Sequence, residues 1–312
     1  MRSRESLLTL HLHWDQRTTR ELAHSHRIDN VSNSAWNSSQ ASGARLVVFT
    51  DLDGTLLDHA TYSFAEARPG LFRLKRAGIP LVLCTSKTRA EVEPLRALLG
   101  NDAPFIVENG GAVFIPKNHF PFALAANGVE HRDEYLVLPI GAPYEDLVAS
   151  LARASLESGT RVRGFADMTD EEVASATGLP LDEAHRARRR EFDEPFTVID
   201  SGGADAVLAA ITRQGKRWTA GGRFLHITSG DKGMAVQLLI DLYRRHLGAL
   251  TTIGLGDAPN DAEFLRLVDI PTIISSPAAE TLARLVPDAR VTRLTGPSGW
   301  NEAVLQLLGA PG

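Results

Sequence analysis

The chain predicts an α/β fold: a parallel-sheet core with a separate α+β domain inserted into it. Three observations carry that expectation. From Arg45 onward, short apolar runs alternate with amphipathic stretches, the pattern of a parallel sheet flanked by helices. Between about Pro121 and Gly222 the order becomes mixed, and strands no longer alternate regularly with helices. Acid-bearing loops fall where predicted parallel strands end, which is where open α/β sheets bind ligands.

Residues 46–50 read as a buried strand and 66–77 as a helix stopped by Gly78. A strand over 81–85 and a helix over 88–99, closed by Gly100, come next. Phe105, Ile106 and Val107 form a third strand, Glu108-Asn109-Gly110-Gly111 a tight turn, and 112–115 a returning strand. In the insertion, a strand over 135–139 precedes a helix over 144–157 and a strand over 161–165. Thr169 and Glu172 then have the spacing of a capping box before a short helix. A strand over 195–200, a helix over 204–214 and a strand over 217–220 complete that module. The alternation resumes with strand 224–228, helix 232–247, strand 251–255, helix 262–268 and strand 272–275, before a last helix over 301–308. The core therefore covers 45–118 and 222–312, and the insertion covers 119–221. Linkers are expected near Lys117 and Gly221-Gly222, where Gly and Pro ease hinge motion.

Bulk properties narrow the function. A chain of 312 residues makes one large domain or two modest ones. A net charge of −5 without any long Lys/Arg block gives no case for a nucleic-acid partner. Cys84 is the single cysteine, so no intrachain disulfide forms and a reducing, cytoplasmic setting fits. No apolar run is long enough to span a bilayer. Residues 1–44, rich in Arg, His, Ser and Asn, read as a disordered leader whose histidines lack the framework of a metal site. Oligomeric state is not legible.

The chemistry starts at Asp51 and Asp53. Alternation sends both carboxylates to one side while Leu52 turns into the core, and Gly54 permits a tight turn beside a ligand. Paired carboxylates suit Mg²⁺, a hard cation that takes oxygen ligands. Thr85-Ser86-Lys87, Lys232 and Gly256-Asp257-Ala258-Pro259-Asn260-Asp261 follow in order. Phosphoryl transfer explains each residue type, because catalysis there is mainly positioning and charge neutralisation. Asp51 is the candidate nucleophile, forming an aspartyl-phosphate. Asp53 would protonate the leaving alkoxide and then activate water. Ser86, before a helix N-terminus, suits a phosphoryl oxygen. Lys232 supplies fixed positive charge, and Asp257 a further carboxylate for the ion. Duller readings stay open singly: Ser86 as a helix N-cap, Asp257 as another cap, and Asn260 and Asp261 as first-turn polar residues. Four such coincidences in order weigh toward one site.

Asp51-Leu52-Asp53-Gly54-Thr55, Ser86, Lys232 and Gly256-Asp257 with Asn260-Asp261 resemble the four signature motifs of the haloacid dehalogenase (HAD) superfamily of phosphatases. The resemblance spans nearly everything from Arg45 on and implies a HAD-like Rossmannoid core with a C2B-type cap. It implies Mg²⁺ held by the side chains of Asp51 and Asp257 and by the backbone carbonyl of Asp53, with Gly54, Thr55, Asn260 and Asp261 in support. Cys84 to Glu91, Glu108 to Pro116, Arg190 to Phe196, Gly222 to His226 and Gly296 to Asn301 are similar to the mannosyl-3-phosphoglycerate phosphatase family. That likeness implies hydrolysis of mannosyl-3-phosphoglycerate to mannosylglycerate, a compatible solute; close relatives act on the glucosyl ester.

Such a substrate carries a carboxylate besides its phosphate. Arg163, Arg188, Arg189, Arg190 and Lys87 are the candidate partners, since guanidinium forks bind carboxylates bidentately. Glu108 and Asn109 are candidates for sugar hydroxyls. Here too the alternatives stand, a solvated Arg face and an ordinary turn. Competing functions are another sugar-phosphate phosphatase, a phosphomutase, or a catalytically silent sugar-phosphate-binding protein. Binding alone needs no second carboxylate poised for proton transfer, which argues against the last.

Overall fold

The structure, a computed structural model, describes residues 45–124, 128–221 and 224–309. The expected leader and Gly222 of the expected linker lie outside the described residues. In chain order the first elements are β1 (Arg45–Thr50), α1 (Arg68–Arg76), β2 (Leu81–Cys84), α2 (Arg89–Leu99), β3 (Phe105–Val107) and β4 (Ala112–Pro116). Next come β5 (Glu130–Arg132), β6 (Tyr135–Pro139), α3 (Tyr144–Ser158), β7 (Val162–Gly164), α4 (Asp170–Thr177), α5 (Leu181–Ala187) and β8 (Asp193–Val198). Then follow α6 (Ala204–Arg213), β9 (Arg217–Gly221), β10 (Phe224–Thr228), α7 (Lys232–Leu247), β11 (Leu250–Gly256) and α8 (Ala262–Leu265). The last are β12 (Ile270–Ser275), α9 (Ala279–Leu285), β13 (Arg290–Thr295) and α10 (Gly296–Leu307).

Two sheets result. A nine-stranded sheet has the order β13-β12-β11-β1-β2-β3-β4-β6-β5. Its strands from β13 to β3 pair parallel, and β4, β6 and β5 are antiparallel. Chain order reverses between β1 and β11, so the crevice at their carboxyl ends is the switch point where such sheets bind ligands. Strand alternation builds a core on each face. Val47 and Phe49 pack with Val236, Leu239 and Tyr243 of α7, whereas Val48 packs with Leu74 of α1 and Trp300 of α10. Trp300, fully buried, donates its indole N–H to Thr50 Oγ1 at 3.0 Å and ties α10 to the end of β1.

The second sheet is antiparallel, β7-β8-β10-β9. One face buries Phe196, Val198, Leu225 and Ile227 against Leu147, Leu151, Val207 and Ile211 of α3 and α6. The opposite face carries Asp193, His226 and Thr228 by alternation.

Two strands sit in the other sheet from the one expected. β6 pairs with β4, Val113 opposite Leu138, so it belongs to the large sheet. β10 pairs with β9, Gly221 opposite Phe224, so those strands form a hairpin and β10 belongs to the small sheet. The chain therefore passes between sheets after Pro139 and after Thr228, not near Lys117 and Gly221. At these passages Gly141 N–H donates to the Gly111 carbonyl at 2.8 Å. A Cβ on Gly230 would stand 2.6 Å from the Gly111 nitrogen, so only glycine lets the backbones approach so closely. The last helix begins at Gly296, five residues before the expected 301, with Pro297 in its first turn.

Candidate active site

Asp51, Asp257, Asp261 and Lys232 converge at the carboxyl ends of β1 and β11. Lys232 Nζ lies 2.9 Å from Asp51 Oδ1 and 2.7 Å from Asp261 Oδ1, and its side chain is 1% exposed. One carboxylate oxygen from each of Asp51, Asp257 and Asp261 lies within 4.8 Å of the other two. Asp231 caps α7 by accepting the Met234 N–H at 3.0 Å, which fixes Lys232 in the first turn and aims it at the acids.

Asp261 braces the loop from β11. Its Oδ2 accepts the amide hydrogens of Asp257 and Ala258 at 3.0 and 3.1 Å. Asp257 is therefore no helix cap; its Oδ1 takes the Thr55 hydroxyl at 2.8 Å. A Cβ on Gly54, where φ is +79°, would stand 2.6 Å from Asp257 Oδ2, so glycine is required at this turn. Among the described residues Asp51 Oδ2 and Asp257 Oδ2 carry no hydrogen bond.

The electrostatics are unbalanced. Three clustered carboxylates face the one ammonium of Lys232. Burial, with the nearby charges of Asp261, Asp257 and Asp53, pushes Asp51 well above the usual carboxylate range against the pull of Lys232. Burial and Asp261 push Asp257 up to about 7, against the Thr55 hydrogen bond. Burial disfavours the charge on Lys232, yet Asp261 and Asp51 outweigh it and hold the ammonium well above its ordinary value. An all-oxygen donor set with surplus negative charge fits a hard divalent cation, and these residues could hold one.

Asp53 points elsewhere. Its Oδ2 pairs with Lys87 Nζ at 3.1 Å, and its buried Oδ1 has no hydrogen-bond partner among the described residues. Lys87 also lies 4.6 Å over the ring of Tyr62 and 3.6 Å from Glu91. The expectation that Lys87 meets a substrate carboxylate is thus replaced by a contact with Asp53. Ser86 is not the N-cap of α2; Thr88 is, in a capping box with Glu91. The Ser86 hydroxyl hydrogen-bonds to no described residue, and its carbonyl accepts from Arg190 at 2.8 Å.

The expected sugar and carboxylate ligands separate. Glu108 is fully buried, and its carboxylate accepts the amide hydrogens of Glu191 (3.0 Å) and Phe192 (2.8 Å), so it is closed to a sugar here. Asn109 donates to Asp193 Oδ2 at 2.9 Å and accepts from Asn260 at 3.2 Å. Arg163 pairs with Glu172 and Arg188 with Asp170, both acids of α4, while Arg189 is exposed beside Arg89 and Glu93. Arg190 alone of the four reaches the core loops. Asp193, which Arg190 meets at 3.4 Å, and His226, which Asp193 meets at 2.7 Å, were not singled out as site residues: in the mixed run Asp193–Val198 an Asp gives no signal until the fold sets it against Asn109.

Burial pushes Glu108 up to about 8, against Arg190 and the two amide donors. The folded state then keeps that proton where the unfolded chain has lost it. The associated stability is present below the ordinary glutamate value and is lost as pH rises through about 8. The slope from one such group is at most about 1.4 kcal/mol per pH unit. Melting scans of metal-free protein from pH 5 to 8.5 should show a falling Tm, and Glu108→Gln should flatten that fall. Equal slopes in both proteins would show that Glu108 does not titrate in this window.

The doubly flanked parallel sheet and its switch-point acids define a haloacid dehalogenase-like hydrolase, and residues 48–127 match the model of that family. Comparison with known proteins narrows it. The chain is 41% identical over 84% of its length to the glucosyl-3-phosphoglycerate/mannosyl-3-phosphoglycerate phosphatase of Methanococcoides burtonii, covering 97% of that protein. It is 38% identical over 73% of its length to the mannosyl-3-phosphoglycerate phosphatase of Pyrococcus furiosus, covering 90% of it. The fold matches a solved HAD subclass IIB sugar phosphatase with a TM-score of 0.57 at 19% identity, over 84% of this chain and 98% of that one. The chain belongs to the mannosyl-/glucosyl-3-phosphoglycerate phosphatase family of HAD hydrolases and is a phosphoric monoester hydrolase. No helix among the described residues is long and apolar enough to cross a membrane.

Proposed function

We propose that the chain hydrolyses mannosyl- and glucosyl-3-phosphoglycerate to the glycosylglycerate and inorganic phosphate, with Mg²⁺ as cofactor. The observation that carries the reading is the convergence of Asp51, Asp257 and Lys232 at the switch point. Asp51, whose Oδ2 is unengaged, attacks phosphorus in line; the P–O bond to the glycerate oxygen breaks as the Asp51–phosphorus bond forms. Asp53, through its unpartnered Oδ1, gives a proton to the departing alkoxide, then takes one from the water that attacks the aspartyl-phosphate. Lys87 holds the other oxygen of Asp53 in place. Lys232 and the free Ser86 hydroxyl face the phosphoryl oxygens. Asp51 and Asp257 would hold Mg²⁺, which would supply charge neutralisation for the phosphoryl group. The four-stranded sheet with α3 to α6 serves as the cap that excludes water and selects the organic part.

A phosphate-release screen tests this. Both glycosyl phosphoglycerates should be hydrolysed with kcat/KM at least about tenfold above simple hexose phosphates, the order of selectivity a few pocket contacts provide. Chelation should abolish release, and added Mg²⁺ should restore it. Hexose phosphates turned over as well as the phosphoglycerates would refute the substrate assignment, and release unaffected by chelator would refute the cofactor.

A further inference from the structure

We infer that Asp193 and Arg190, from the segment opening the small sheet, are positioning residues that lock the two phosphate-facing loops of the core. The inference deepens the phosphatase reading and rests on Ser86 and the Asp257 loop forming the phosphate site.

Asp193 is fully buried and has partners on two distant pieces of chain besides Arg190 of its own segment. Its Oδ2 accepts from Asn109 of the turn after β3 at 2.9 Å. Its Oδ1 lies 2.7 Å from His226 Nδ1 of β10 and 3.4 Å from a guanidinium nitrogen of Arg190. Two lines of contact run from there to the site. The same Arg190 nitrogen donates to the carbonyl of Ser86 at 2.8 Å, while Arg190 Nε holds the Ala187 carbonyl at 2.8 Å. The second line runs through Asn109, whose side-chain oxygen accepts from Asn260 at 3.2 Å, inside the turn Pro259–Asp261 that Asp261 braces onto Asp257. Asn109 sits at φ +56° and Glu108 at φ +51°, a costly pair of backbone conformations for non-glycine residues. Two amide hydrogens of residues 191 and 192 on the Glu108 carboxylate, and Asp193 on the Asn109 amide, hold that turn.

Arg190 gives Nε and Nη1 to two carbonyls and a buried carboxylate, so this edge of the guanidinium is held by the protein and is not offered to a substrate carboxylate. Its planar fork meets these acceptors together, and a lysine ammonium on a flexible stem does not reproduce that geometry. Misplacement of reacting groups by about 1 Å can cost on the order of 100-fold in rate. Losing the clamp should therefore slow turnover of any phosphomonoester, whatever its organic part.

The experiment compares Asp193→Asn and Arg190→Lys with wild type on glucosyl-3-phosphoglycerate and on p-nitrophenyl phosphate, which has neither sugar nor carboxylate. Rates are referred to folded protein by melting curves. Both variants should lose about 10- to 100-fold in kcat by the same factor on both substrates, with KM within about threefold. Arg190→Lys, which keeps the charge, should not rescue. A loss confined to the phosphoglycerate, or carried by KM, would make Arg190 a substrate ligand and overturn the inference. Unchanged kcat on both substrates in folded variants would reduce the cluster to packing and also overturn it. Should Asp193→Asn not fold, Asn109→Gly keeps the positive-φ turn and must show the same equal loss. The aryl phosphate arm reads the clamp even where the natural substrate proves to be another ester.

Discussion

Asp51→Asn should lower phosphate release by on the order of 10³- to 10⁵-fold on every substrate, the range found when a catalytic group is removed from a site that still binds. An amide nitrogen or carbonyl oxygen is a poor nucleophile toward phosphorus, and no other described carboxylate takes its place. Asp53 is turned toward Lys87, Asp261 is consumed by Lys232 and two backbone amides, and Asp257 is anchored by Thr55. The fold should survive. Lys232 keeps Asp261 at 2.7 Å, and a neutral group at position 51 relieves a carboxylate that burial and three neighbouring acids already disfavour. Tm near neutral pH should be unchanged or higher. Rapid-quench labelling with phosphoryl-labelled substrate should mark wild type and leave the variant unmarked. A variant that still becomes labelled, or that keeps more than about a tenth of wild-type turnover, would move the nucleophile elsewhere.

Much of this site was legible in the sequence because its parts are local. Asp51 and Asp53 follow an apolar run and precede a glycine that only a turn of positive φ explains. Lys232 opens a helix, against the dipole, and the Asp257 loop follows a second apolar strand. What stayed hidden depends on pairing between distant segments. Whether residues 135–139 add to the large sheet or the small one is a matter of which edge they reach, and Leu136, Val137 and Leu138 suit either. β5, β13, α5 and α9, the last a helix of seven residues, were missed for another reason. Glu130–Arg132 is a short charged edge, Arg290–Thr295 an exposed edge with no apolar run, and Leu181–Ala187 a helix of seven residues. The arginines show the limit most plainly. Charge alone grouped Arg163, Arg188, Arg189 and Arg190 as one anion site, whereas the fold gives two of them to α4, one to solvent and one to the core loops.

Lys232→Met should be the most destabilising single change in the site, at about 3–5 kcal/mol near neutral pH, the cost of removing one partner from a buried ion group. Methionine fills much of the volume, so the loss is mainly electrostatic: buried Asp51 and Asp261 and half-buried Asp257 remain clustered without a cation. The sign with pH follows. In wild type the Lys232 pKa is raised on folding, so its contribution is present throughout the range below the ordinary lysine value. In the variant the acids shed their repulsion by taking up protons, and the raised pKa values of Asp51 and Asp257 rise further. The Tm gap between variant and wild type should therefore be wide at pH 8 and narrow toward pH 5. Divalent metal should close part of the gap at pH 8, since an ion that binds the folded acids stabilises by mass action. Activity should fall on every phosphomonoester with or without metal, because in the proposed mechanism the ammonium serves both Asp51, which it meets at 2.9 Å, and the phosphoryl oxygens. A Tm gap that is the same at pH 5 and pH 8 would mean that packing, not charge, is what Lys232 contributes, and the account of three acids balanced against one ammonium would fail.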